Sequence, residues 1–270
     1  MPPEAAYCEA PPPLSILNAA ITPFASRAHA IRCISARVLG GGRAFCVAIN
    51  AAKLYYARRR AEMAWALASA DYWLCDGVGA VMAARLLRGV RIRRCTDGFL
   101  EELMSETRRN EWKVFLLGAT PESNQGAADA LRRQYPGLQV VGRRDGYFED
   151  SRNVVRTVNE SRAQVLVVGM GSPRQEVWVA QHLDRLEPQC IVTVGGALDV
   201  LSGRVKRAPR IFRRTGTEFL YRLLAEPGKK RWSRHLEACA AGIDILKECA
   251  RVRWLGHQEA NETDRRDMPR

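Results

Sequence analysis

Six short apolar runs in this 270-residue sequence each end in a residue that is small or polar. Asn50 follows AFCVAI, and the pair Asp76-Gly77 follows DYWLC. Gly118 follows KVFLL and leads into Thr120 and Ser123, while Gly142 follows LQVV, with Asp145 to Phe148 just beyond. Gly169, Gly171, Arg174, Gln175 and Glu176 follow QVLVV, and Gly195, Gly196 and Asp199 follow QCIVTV. Glycine at the mouth of a strand lets backbone N–H groups approach a ligand, an arrangement suited to phosphate where a helix then starts. A carboxylate in the same crevice supplies a general base. Each residue alone has a plainer reading. Asp76 can cap the helix that follows it. Gln175, Glu176 and Asp199 can be first-turn residues favoured by the helix dipole. The GxG at 169–171 lacks the third glycine of a dinucleotide fingerprint, because position 174 is Arg, and this argues against a nicotinamide cofactor. The convergence of all six run-ends on one crevice carries the functional reading.

The elements that must position these residues alternate along the chain. Strands are expected at 44–49, 71–77, 113–118, from 138, at 164–171 and from 189. Helices are expected at 52–70, with an apolar stripe through Leu54, Ala57, Ala64 and Leu67, and at 78–89, stopped by Gly89. Further helices are expected at 99–109, from Pro121 to the Pro-Gly stop at 136–137, at 153–163 and from about Pro173, with a short one before Gly203. The β-α alternation with fully apolar strands predicts an α/β fold: a Rossmann-like, mostly parallel sheet with helices on both faces. In such sheets ligands bind beyond the carboxyl ends of the strands, where the residues above fall.

Four segments follow: a Pro- and Ala-rich N-terminus at 1–13, expected to be disordered, an α/β domain at 14–203, a basic helical C-terminal appendage at 204–255, and a loose polar tail at 256–270. The net charge is +13, and eleven Lys/Arg against two acids lie between Arg204 and Arg234. That stretch suits a polyanion, be it nucleic acid, an anionic membrane surface or substrate phosphates, if it is not simply a solvated face. No apolar run is long enough to span a bilayer, and the N-terminus has no signal-peptide pattern, so a cytosolic protein is expected. The eight cysteines contain no C-x-x-C pair and the four histidines no ligand spacing, so no metal site is expected.

Several motifs together resemble the WecG/TagA/CpsF glycosyltransferases, glycosyltransferase family 26. They are GSPRQEVW (171–178), VGGALDVLSGRVKRAP (194–209) and TEFLYRLLAEP (217–227), with CDGVGAVMAARLLRG (75–89), VFLLGATPESNQGAADAL (114–131) and YPGLQVVGRRDGYF (135–148) in the family's order. The resemblance spans roughly 45–235. It implies an inverting, metal-independent transferase, peripheral on the cytoplasmic face of the inner membrane. Such an enzyme moves an N-acetylmannosamine-type sugar, or its uronic acid, from a UDP-sugar to an undecaprenyl-diphosphate-linked acceptor for cell-surface polysaccharide. By this resemblance Asp76 is the catalytic base, Asn50 positions the sugar or Asp76, Arg94 holds the leaving diphosphate and Gln175 bonds the donor sugar. Glu176 is a supporting residue. Gly118, Gly142, Gly171, Gly195, Gly196, Asp199 and Arg207 fall at substrate-binding positions. Arg222, Arg231 and Arg234 would meet the lipid diphosphate or headgroups, with Phe212, Phe219, Tyr221 and Trp232 at the interface.

The sequence departs from the family at some of these positions. Ala48 replaces the usual Thr before Asn50, and Ala51-Ala52-Lys53 replaces the usual acid after it. In RRCTDGF the register of Arg93 and Arg94 is open, and in PGKKRW that of the last arginines. These changes bear on the identity of the sugar, and the alternative is a transferase of the same family that uses UDP-glucose or another hexose for exopolysaccharide. A nucleic-acid-binding protein fits less well, because the aromatics lie among tail arginines and the strand-end glycines would have no role. The sequence leaves a homo-oligomer open.

Overall fold

The computed structural model describes residues 8–215, Glu218, Tyr221 and 239–251. A hairpin of β1 (Leu14–Ile16) and β2 (Ala19–Ile21) comes first, then helix α1 (Arg27–Leu39). The sequence reading assigned no element to this stretch. The signals for α1 are nonetheless present: Ser26 accepts from the His29 N–H as cap, Ile31, Ile34 and Val38 share a buried face, and Gly40 closes the helix.

The body of the fold is a single six-stranded parallel sheet. Its strands are β3 (Ala44–Ile49), β4 (Tyr72–Cys75), β5 (Lys113–Gly118), β6 (Gln139–Arg144), β7 (Val165–Gly169) and β8 (Cys190–Thr193). They lie in the order β4-β3-β8-β7-β5-β6, and every pairing is parallel. The central strands are apolar throughout because helices cover both faces; Val165 to Val168 and Cys190 to Val192 are all buried. Two clusters of buried side chains, one on each face of the sheet, form the core. Phe45, Val47, Phe115, Leu166 and Ile191 point into one, and Cys46, Val114, Leu116, Val167 and Val192 into the other.

Helices connect the strands: α2 (Ala51–Arg59), α3 (Ala61–Ala68), α4 (Gly77–Arg88), α5 (Phe99–Arg109), α6 (Pro121–Gln134), α7 (Ser151–Glu160) and α8 (Arg174–His182); α9 (Ala197–Leu201) and α10 (Arg210–Thr215) follow β8. The single helix expected at 52–70 is two. Arg60 is extended, with φ −132° and ψ 109°, and divides α2 from α3. At about 100° per residue, Leu54 and Ala57 would fall opposite Met63, Ala66 and Leu67 on an unbroken helix. All five are buried, and the break lets both sets face the core.

A second difference concerns β6, which continues through Gly142 to Arg144. A register shift against Val114 and Phe115 leaves Gly142 paired with Phe115. A Cβ at Gly142 would stand 2.5 Å from the Phe115 ring. Gly142 is therefore glycine for packing inside a strand and does not sit at a strand mouth as expected.

Helical residues 239–251 return to α2. Ala241 and Ile245 are buried, and Arg59 pairs with Asp244 through Nη2–Oδ1 at 3.2 Å. Among the described residues no helix is long and apolar enough to cross a membrane. The structure also brings Cys8, His29 and Cys33 together, with ligand atoms within 4.8 Å of one another, a grouping that sequence spacing did not suggest. Burial and the neighbouring Cys8 push the Cys33 thiol up to about 12, so it keeps its proton at neutral pH.

Candidate active site

The carboxyl ends of β4, β3, β8, β7 and β5 are consecutive along one edge of the sheet. Most of the residues singled out from the sequence lie along this edge, which contains two different kinds of polar cluster.

The first cluster is at β3 and β4. Asp76 is the residue before α4, yet its side chain makes no capping bond. Its carboxylate instead accepts from Asn50 Nδ2 at Oδ2 (3.2 Å) and from the Thr96 hydroxyl at Oδ1 (2.6 Å). Asn50 does two things at once. Its Oδ1 caps α2 by accepting from the Lys53 N–H (3.1 Å), and this fixes its amide group toward Asp76. The loop carrying Thr96 is held at the end of β4 by the Cys95 N–H, which bonds the Cys75 carbonyl (3.0 Å). Thr96 was not identified from the sequence, although it lies in the same RRCTDGF run as Arg94. Asp76, Asn50 and Thr96 are all half-buried, so the carboxylate is held from two sides and still reaches solvent. Arg94 is half-buried whereas Arg93 is exposed, and the Arg94 charge acts on Cys75, the residue before Asp76. That proximity puts the Arg94 charge at the mouth of β4. Burial, with Asp76 beside it, pushes the Cys75 thiol up to about 12, so this thiol is no nucleophile at neutral pH.

The second cluster is at β7 and β8 and is buried. Gln175 is 1% exposed and Glu176 fully buried. The Gln175 Oε1 accepts from two backbone N–H groups, Gly171 (3.2 Å) and Gly195 (3.1 Å), and so ties the β7–α8 loop to the β8–α9 loop. Both glycines have positive φ, 81° and 57°, which other residues rarely adopt. Gln175 Nε2 donates to Glu176 Oε1 (2.6 Å), as does the Ser172 hydroxyl (3.0 Å). The same oxygen meets Lys53 Nζ at 2.7 Å, and the two charged side chains are 5% and 0% exposed. Glu176 Oε2 is buried with no hydrogen-bond partner. Lys53 was noted in the sequence only as a departure from an acid; its burial depends on a partner 123 residues away, beyond any local pattern.

Two backbone N–H groups expected to face a phosphate are thus occupied by Gln175. Gly118 and Gly169 serve close packing. A Cβ at Gly118 would lie 2.4 Å from the Gly169 backbone, and one at Gly169 would lie 2.8 Å from Leu198. Asn124, also not identified from the sequence, is buried behind β5 and donates to the Gly118 (2.8 Å) and Arg144 (3.0 Å) carbonyls.

The remaining expected residues are more dispersed. Gly196 is exposed and precedes α9, whose Asp199 is half-exposed at the β8 mouth. Arg207 lies against α5, pairing with Asp97 (3.5 Å) and closely with Glu101. Phe212 is half-buried and meets Tyr221 with ring centroids 5.5 Å apart. Arg222, Arg231, Arg234, Phe219 and Trp232 lie outside the described residues.

A parallel sheet with a held carboxylate and an arginine at its carboxyl edge fits the class of α/β enzymes, in which ligands bind beyond the strand ends. More narrowly, residues 14–253 match the model of the glycosyl transferase WecG/TagA/CpsF family, and the chain belongs to that family. Two relatives carry the name N-acetylglucosaminyldiphosphoundecaprenol N-acetyl-beta-D-mannosaminyltransferase. The one from Bacillus spizizenii (strain W23) is 33% identical over 206 residues, 76% of this chain and 79% of the relative. The one from Bacillus subtilis (strain 168) is 30% identical over 184 residues, 67% and 71% of the two chains. The protein is a glycosyltransferase, as the sequence motifs indicated.

Proposed function

We propose that the protein transfers a sugar of the N-acetylmannosamine type, or its uronic acid, from a UDP-sugar to a polyprenyl-diphosphate-linked acceptor, with inversion at the anomeric carbon. The carrying observation is Asp76, a half-buried carboxylate at the β4 mouth held by Asn50 and Thr96 rather than engaged as a cap. In this reading Asp76 takes the proton of the acceptor hydroxyl. The hydroxyl oxygen then bonds to the anomeric carbon as the bond to the diphosphate oxygen breaks, and UDP leaves with the bonding electrons. A positioned base contributes about 10²–10⁴-fold to such a step. Arg94 meets the growing charge on the diphosphate, a role for which a guanidinium is suited. Gln175 acts on the donor site through the two loops it joins. The names of the two relatives support the acceptor class and the sugar. Together with a nucleotide-sugar donor, a lipid-linked acceptor supports a protein peripheral on the cytoplasmic face of the inner membrane.

The test is a panel of UDP-sugars incubated with the full chain and N-acetylglucosamine diphosphate on a short polyprenol, with product masses read with and without a chelator. A gain of one N-acetylhexosamine or its uronic acid, unaffected by chelator, is expected. A gain of one hexose selects the alternative donor class, and no product from any UDP-sugar overturns the reading.

A further inference from the structure

Helix α4 packs with the wrong residues inside if folding alone is considered. Its fully buried positions are the small ones, Ala80, Ala83 and Ala84. Its larger apolar side chains Val78, Met82 and Leu86 point outward, 39%, 41% and 42% exposed. Single exposed apolar residues need no explanation, but these three recur every four residues and form a stripe about 12 Å long. Arg85 falls on the same face, at the edge of the stripe, and is exposed. Arg88, Arg91 and Arg93 are exposed further along, and residues 77–94 hold five arginines and no acid.

An apolar stripe bordered by arginine complements an anionic lipid surface. The position of the helix gives this a purpose, because α4 starts at the residue after Asp76. The acceptor in the relatives' names carries an undecaprenol chain, which resides in a bilayer, so the site that receives it must approach one. We propose that the α4 face formed by Val78, Met82, Leu86 and Arg85 docks on an anionic leaflet and sets Asp76 at headgroup height. This rests on the lipid-linked acceptor reading and adds a surface within the α/β domain, separate from the basic stretch at 204–234.

The test uses the full chain and two double variants, Met82→Glu with Leu86→Glu, and the neutral Met82→Gln with Leu86→Gln. Both sites are exposed, and circular dichroism confirms folding. Sedimentation with phosphatidylglycerol-containing vesicles is expected to fall about tenfold in the glutamate variant and less in the glutamine one. Transfer to acceptor embedded in those vesicles falls in step, while transfer to a short-prenyl acceptor in solution stays within about twofold. Sedimentation equal to wild type in both variants overturns the proposal. So does a wild-type dimer that the variants split, by sedimentation velocity, with vesicle binding unchanged; the stripe is then a contact between copies. If wild type transfers nothing to either acceptor, the reaction reading fails, and vesicle binding still decides the docking face.

Discussion

The two polar clusters at the sheet edge use similar side chains for opposite ends. At β7 and β8 the amide of Gln175 and the carboxylate of Glu176 are buried and bonded to groups of the protein itself. At β3 and β4 the amide of Asn50 and the carboxylate of Asp76 lie in the same relation, but both are half-buried, and the amide is pinned from behind by its capping bond. A carboxylate neutralised by a lysine in the interior holds loops together and does not exchange protons with a substrate. A carboxylate held by neutral donors at the surface keeps its access to solvent. In the proposed reaction, burial and the type of partner separate the holding acid from the reacting one, and helix α2 links them, with Asn50 as its cap and Lys53 in its first turn.

The largest expected effect tests that separation directly. Asp76→Asn keeps the size of the side chain, lets its amide oxygen accept from Asn50 while its NH2 donates to the Thr96 hydroxyl, and removes the base. Transfer should fall by about 10²–10⁴-fold with the melting temperature little changed. If Asp76→Asn turns over like wild type, the reacting acid is elsewhere. Lys53→Met inverts the pattern. It leaves Glu176 as an uncompensated buried charge, and breaking such a pair from one side costs about 3–5 kcal/mol, readable as a loss of denaturant midpoint. Combining it with Glu176→Gln should recover much of that stability, since a buried pair replaced by neutral groups is often close to neutral. A double variant no more stable than Lys53→Met would mean that the cost is one of shape and not of charge. Thr96→Val is smaller again. It removes one of two donors to Asp76 and should slow transfer by about tenfold, equivalent to one hydrogen bond, with stability nearly unchanged.

What could be read from the sequence follows the same division between local and distant causes. The apolar runs that became β3, β5, β7 and β8 announce themselves because central parallel strands are buried on both faces. The order of the strands and the shift that carries Gly142 inside β6 depend on pairings between segments far apart, which no local pattern records. The break at Arg60 was hidden because each half of 52–70 is helical by itself; only the opposed directions of Leu54 and Met63 require it. In the site, the ends of the runs gave the locations of Asp76, Asn50 and Gln175. Whether each reaches solvent or the interior was decided by Thr96, Lys53 and the Gly195 N–H, all of them distant from their partners in sequence.

The far end of α2 offers the smallest and most discriminating test, because it asks whether the helix transmits disturbance to the mouths it serves. Arg59, in its last turn, holds the Asp244 carboxyl below the usual carboxylate range through a hydrogen bond. That pairing contributes stability above the unfolded aspartate value of about 3.9 and loses it as the pH falls through the lower folded value. Arg59 is 40% exposed, so the pair is of the weak, screened kind. Asp244→Asn should therefore loosen residues 239–251 only slightly. The measure is Cys249, which packs at the edge of the core: its alkylation rate at neutral pH should rise by less than about fivefold, and added salt should raise the wild-type rate toward the same level. Transfer should be unchanged, because Lys53 and Asn50 are fixed by Glu176 and Asp76 rather than by the end of the helix. A parallel loss of transfer in Asp244→Asn would show instead that the docking of 239–251 sets the position of α2, and that the two mouths depend on the C-terminal helix as much as on each other.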